Sequence, residues 1–106
     1  MAKAETAYEI RKAGMKNKAT ITRIEVKKAG EIFGDAARIP EQLVMVIFGK
    51  IDGWEGRIGA LTKPISKYVS PKSNMAGFLH KYNKPPEVGM TVEVATNDRG
   101  YWTFVM

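Results

Sequence analysis

The stretch Gln42 to Lys63, QLVMVIFGKIDGWEGRIGALTK, decides how this chain folds. Leu43 to Ile47 is a short run of long and β-branched apolar residues with a glycine just beyond it, which reads as a buried strand rather than a helix. Asp52-Gly53 follows, and a two-residue type I′ turn needs positive φ at both central positions, which this pair adopts readily. A turn at that place fixes the register. Ile51 faces Trp54, Lys50 faces Glu55, Gly49 faces Gly56, Phe48 faces Arg57, Ile47 faces Ile58, and Met45 faces Ala60. Side chains alternate across a strand, so one face carries Leu43, Met45, Ile47, Ile51, Trp54, Ile58 and Ala60, all apolar. The other carries Val44, Val46, Phe48, Lys50, Glu55, Arg57, Gly59 and Leu61, and every charge of the hairpin falls on it.

Upstream, Lys18 to Lys28 (KATITRIEVKK) is rich in Thr, Ile and Val and reads as a strand. Its alternation slips, because Ala19 and Ile21 share one face while Ile24 and Val26 share the other. A bulge or sharp bend in mid-strand produces that phase change, and such a strand can serve two halves of a small barrel. Between it and the hairpin, AGEIFGDAARIPEQ has no sustained period and reads as a long loop, with Ile32 and Phe33 pinning it to the body. Residues 1–17 are either a short helix ending at Gly14 or a basic arm.

Downstream, Lys63-Pro64 ends the strand, and Ile65 to Val69 reads as a short irregular extended piece. Ser70-Pro71 can start a helix, with serine as cap and proline in the first turn. Met75, Phe78, Leu79 and Tyr82 then form one apolar stripe, which reads as core packing, and Asn83 with Pro85-Pro86 ends the helix. Met90 to Thr96 alternates as a strand, residues 97–100 form a turn, and Tyr101 to Met106 is a last strand with Trp102, Phe104 and Met106 on its core face.

The order is a bent strand, a hairpin, a helix and a second hairpin, which makes a mainly β, five-stranded OB-like barrel with the helix between the third and fourth strands. An SH3-like barrel is the alternative. In this layout, from Lys18 to Met106, the chain resembles OB-fold single-stranded DNA-binding proteins of the small archaeal and phage type. The segment Ser73 to Trp102, SNMAGFLHKYNKPPEVGMTVEVATNDRGYW, is similar to the helix–turn–hairpin ending of that group. The resemblance implies ligand binding across the outer face of the second and third strands. It places aromatic stacking at Phe48, with Tyr68, Tyr101 and Trp54 as further matches.

The 106 residues suffice for one domain with a single core. With no cysteine, neither disulfides nor thiolate metal sites are available, which suits a reducing cytoplasm. No run approaches a membrane span, and no signal peptide is visible, so a cytoplasmic location without membrane contact is expected. Scarce Cys and Gln with abundant Lys hint at a thermophilic source, in keeping with the archaeal likeness. Residues 1–30 hold eight Lys/Arg against three acids, and residues 63–86 hold five lysines and no acid. Residues 31–62 and 87–106 are each acidic by two charges. Two basic blocks in one small domain point to a polyanion partner.

Catalysis is not expected. His80 is the sole histidine, and no phosphate loop or HExxH pair is present. Asp35, Asp52 and Asp98 sit in turn contexts that explain them. No cofactor or metal is expected. Two classes remain. One is a single-stranded nucleic-acid-binding module (DNA or RNA), in which Arg23, Lys27, Lys50, Arg57, Lys63, Lys67 and Arg99 meet phosphate while Phe48, Tyr68 and Tyr101 stack on bases. The other is a protein-interaction or assembly module whose Val44, Val46 and Phe48 form an exposed contact patch, with a homo-oligomer or a replication or repair protein as partner.

Overall fold

The computed structural model describes residues 13–64 and 68–105. Five antiparallel strands, β1 (Lys16–Lys28), β2 (Leu43–Ile51), β3 (Trp54–Thr62), β4 (Thr91–Thr96) and β5 (Trp102–Phe104), form one sheet in the order β3-β2-β1-β4-β5. The outer strands β3 and β5 pack beside each other, so the sheet curls into a nearly closed barrel. Helix α1 (Ala29–Phe33) lies between β1 and β2, and α2 (Asn74–Tyr82) between β3 and β4. This is the OB-like barrel expected from the sequence. A simple meander would pair β3 with β4. Here β4 pairs with β1 instead, which sets aside the SH3-like alternative.

Asp52 and Gly53 have φ of 45° and 88°, as a type I′ turn requires. From that turn the register runs as expected through Phe48↔Arg57. There it slips, so that Ile47 pairs with Gly59 and Met45 with Leu61, not with Ile58 and Ala60. The extra residue is Ile58, a β-bulge. It corrects the two faces read from sequence: Gly59 and Leu61 turn inward, and Ala60 turns outward. The reason is burial. An unbroken register would leave Leu61 outside, whereas here Ile58 and Leu61 are both fully buried. Burying one leucine is worth about 1.5–3 kcal/mol, more than the roughly 0.5–1.5 kcal/mol net of one interrupted ladder bond.

The expected phase change in β1 is also a bulge, between Ile21 and Arg23. It returns Ile24 to the inward face of Ala19 and Ile21, while the Thr22 hydroxyl donates to the Phe48 carbonyl at 3.4 Å. The bent strand pairs with β4 through residues 16–20 and with β2 through residues 20–28.

Helix α2 closes one side of the core. It starts later than Ser70-Pro71 suggested, since Ser73 is the cap and its Oγ accepts from the Ala76 N–H at 3.2 Å. Asn83, with φ of 61°, ends it. The apolar stripe faces inward, with Met75 and Phe78 fully buried and Leu79 and Tyr82 packed against the core. Asn74 lies against the open edge of β3, where its Nδ2 donates to the Ala60 carbonyl (2.8 Å) and its Oδ1 accepts from the Thr62 N–H (3.1 Å). That side chain does for part of the edge what a neighbouring strand would do.

Three further expectations change. The connection after β1 is not an irregular loop, because α1 and a 3-10 turn over Gly34–Ala36 occupy it. The Glu31 carboxylate accepts from the Lys28 N–H at 2.9 Å and helps start α1. Backbone bonds from Ala29 N–H to Gln42 and from Gly30 N–H to Pro40 close the base of this arm. Phe33 does not pin it, being 44% exposed, whereas Ile32 is partly buried. The last strand is shorter than residues 101–106, and Tyr101 belongs to the turn before it. Trp102 is buried and Phe104 packs on the core as expected, while Met106 lies outside the described residues. The helix-or-arm reading of residues 1–17 falls largely on residues 1–12, also outside them, and β1 begins at Lys16.

Barrel closure turns on Gly59. A Cβ there would overlap the Phe104 ring, which is held edge-on against Phe78 at 5.4 Å between centroids. The ring has little room to yield, so Gly59→Ala should cost about 1–3 kcal/mol, the usual scale of overpacking. Chemical denaturation measures this, and an unchanged midpoint would mean the seam is slack.

The Lys81–Glu93 ion pair ties α2 to β4, and the Tyr82 hydroxyl accepts from the Glu93 N–H at 2.8 Å. Hydrogen bonding and charge from Lys81 hold the Glu93 carboxyl below its usual range, and Glu93 holds Lys81 above its own. A lowered carboxylate pKa stabilises the fold above the unfolded value of about 4.3 and loses that contribution as pH falls through the folded value. A raised lysine pKa contributes until pH climbs through its folded value, above about 10.4. Glu93→Gln should therefore lower Tm between about pH 5 and pH 10, and match the wild type near pH 2. Equal Tm for the two proteins at pH 7 would show the pair to be idle.

Candidate nucleic-acid interface

Three elements bring side chains together at the seam between β3 and β5, where Trp54 also packs against the core. The Asp52-Gly53 turn delivers Trp54, whose indole lies over Gly56; a Cβ on that glycine would meet Cζ2 at 2.7 Å. The turn at residues 97–100 delivers Tyr101, which is 62% exposed. Asn97 organises this turn, its Oδ1 accepting from the N–H groups of Arg99 (2.9 Å) and Tyr101 (3.0 Å). The α1 arm delivers Phe33. These rings, with Arg57, Asn97 and Thr103, line a groove of about 370 Å³.

A second groove, of about 390 Å³, shares Phe33 and Ala60 with the first and continues beneath the arm past Arg38, Ile39 and Val44 to Thr62. A third, of about 430 Å³, shares Gln42 and Thr62 with the second and adds Lys63, Tyr68 and Lys72. The three overlap in series along β3. Among the described residues none of their linings contains a carboxylate.

The pairing of charges sharpens this. Arg23 and Lys27 pair with Glu25, Lys28 with Glu41, Lys81 with Glu93 and Lys84 with Glu87. Arg38, Arg57, Lys63 and Lys72, the four cations of the grooves, pair with no carboxylate among the described residues. Exposed ion pairs add little stability, so this sorting matters less for the fold than for the field it leaves outside.

The residues read from sequence divide accordingly. Arg57, Tyr101, Lys63 and Tyr68 line the grooves, and Tyr68 is 76% exposed. Arg23, Phe48 and Arg57 form a row across β1, β2 and β3, with the Arg23 guanidinium 4.1 Å from the centre of the Phe48 ring. Lys50 is exposed beside the turn, opposite Glu55, Lys27 is exposed on β1, and Arg99 is exposed in the turn at residues 97–100. Lys67 lies outside the described residues. The patch expected at Val44, Val46 and Phe48 is not on the surface as such, because Val44 and Val46 are 6% and 3% exposed. The α1 arm lies beside Val44, and β1 and β3 flank both residues. Gly56 and Gly59 offer a ligand no close approach to β3, because the protein's own Trp54 and Phe104 rings fill the space beside them.

Sequence reasoning missed Phe33, Arg38 and Lys72. Phe33 was assigned to packing, and only the short helix that turns it outward shows otherwise. Lys72 was visible within the acid-free block, and Arg38 within the long connection, but nothing in either stretch marks one charge above its neighbours.

Comparison with known proteins returns no matching family model, no matching curated protein and no matching solved structure, so the functional reading rests on this geometry.

The Arg23–Phe48 contact gives a measurable quantity. A cation over a ring near the surface contributes about 0.5–1 kcal/mol. A double-mutant cycle of Arg23→Ala and Phe48→Ala in denaturation should return a coupling of that size. Additive effects would mean the two side chains are merely neighbours.

Proposed function

We propose that this chain is a single-stranded nucleic-acid-binding module whose ligand lies along β3, between the α1 arm and the turn at residues 97–100. The observation that carries the reading is the sorting of charge. Among the described residues, Arg57 and Arg38 pair with no carboxylate and their grooves contain none, while the paired cations line neither groove. Phosphates would meet these arginines, and bases would stack on Tyr101, Trp54 and Phe33. Phe48 lies beside Arg57 across the sheet, and Arg99 sits two residues before Tyr101 in the same turn.

Single strands fit better than duplex. A duplex keeps its base faces within its own stack, so rings offered singly from a turn, a strand and an arm gain most from unstacked bases. The buried Val44 and Val46 remove the apolar patch on which the assembly reading rested.

A fluorescence titration with single- and double-stranded oligonucleotides at two salt concentrations tests this. Single strands should bind more tightly, with a log–log salt slope of about −0.7 per phosphate neutralised. Tyr101→Ala should weaken binding by about 1–3 kcal/mol with Tm unchanged, and Arg57→Ala should make the slope shallower by about 0.7. Salt-independent affinity, or equal affinity for duplex, would sink the proposal.

A further inference from the structure

The grooves do not stop where the two loops end. The third is lined by Lys63, Tyr68 and Lys72 and joins the second at Gln42 and Thr62. It lies on the segment connecting β3 to α2, outside the cleft between the α1 arm and the turn at residues 97–100. Its described lining has the same chemistry: an exposed aromatic ring, two lysines that pair with no described carboxylate, and no acid.

We infer that Lys63, Tyr68 and Lys72 form a second subsite for the same strand, in which Tyr68 stacks on a base while the two lysines contact its flanking phosphates. This rests on the proposed function and adds a direction to it. The ligand runs the length of β3, entering at Trp54 and Tyr101 and leaving past Tyr68. Site sizes of OB domains span about 4–16 nucleotides, and two subsites in series place this chain in the longer part of that range. The shared linings are what make one continuous strand the occupant. Two independent ligands would need a barrier between the grooves, and Gln42 and Thr62 instead belong to both.

The test is binding as a function of length. Fluorescence anisotropy would compare oligothymidylates of about four and about twelve nucleotides, bracketing most of that range, on the wild type, Tyr68→Ala and Tyr68→Phe. The wild type should bind the longer strand more tightly. Tyr68→Ala should weaken the longer strand by about 5- to 150-fold, the alanine effect of one stacked base, and leave the shorter one unchanged. Tyr68→Phe, which keeps the ring, should behave as wild type on both. Tyr68 is 76% exposed, so its truncation removes little buried surface, and Tm measured on each variant separates a loss of fold from a loss of binding. If both strands bind but Tyr68→Ala affects neither, or both equally, the second subsite is overturned while the parent reading stands. No binding of either strand by the wild type would overturn both.

Discussion

Closure of the barrel at the β3–β5 seam is the constraint on which the rest of the molecule depends. Phe104 can approach β3 only because position 59 has no side chain, and Phe78 on α2 packs edge-on against that same ring. One contact therefore joins the last strand, the helix and the free edge of the central hairpin. It also sets the geometry of the candidate site, because β5 is preceded directly by the turn that holds Tyr101. With the seam open, Tyr101 and Trp54 would have no reason to line one groove. The bulge at Ile58 serves the same end, since it lets Gly59 face the Phe104 ring while Ile58 and Leu61 both stay buried.

Much of this was legible in the chain. Asp52-Gly53 fixed the turn and the first four pairs beyond it, and the phase change between Ile21 and Ile24 announced the bend in β1. The helical stripe from Met75 to Tyr82 needed only its period of 3.6. Misreadings arose where position depends on contacts distant in sequence. The bulge at Ile58 depends on the partner of β3 across the seam, which a hairpin read alone does not contain. Ser70-Pro71 is a sound local start signal, yet the helix begins at Ser73, where Asn74 can reach the β3 edge. Phe33 looked like an anchor because a large apolar residue in a loop usually is one. Its exposure follows from a five-residue helix too short to leave a clear period.

The charge pattern was half legible. Two basic blocks were evident as counts along the chain, but counts do not say which cations are neutralised. Folding settles that. Glu41 pairs with Lys28, Glu93 with Lys81 and Glu87 with Lys84, so part of the formal charge in both basic blocks is balanced by acids from elsewhere in the chain. Arg38 and Arg57 come from the stretch that is acidic overall, yet they face grooves without acids. Net charge per segment thus named only part of the residues that line the proposed interface.

The same sorting bears on where a base would find its partner ring. On the outer face of β2, Phe48 stands in the middle of the sheet with a guanidinium 4.1 Å from its ring centre. A ligand there competes with an intramolecular contact, and with the Arg23–Glu25 ion pair that orients it. Tyr101 is held by its backbone instead, its N–H donating to the Asn97 Oδ1 and its carbonyl accepting from the Asn97 N–H, and 62% of the residue is accessible. A ring positioned through its main chain is preorganised without an ion pair or a cation having to be displaced from it. In the proposed reading, the rings at the ends of strands are therefore the better platforms. The centre of the sheet contributes stiffness and field, with Arg57 as the residue that belongs to both.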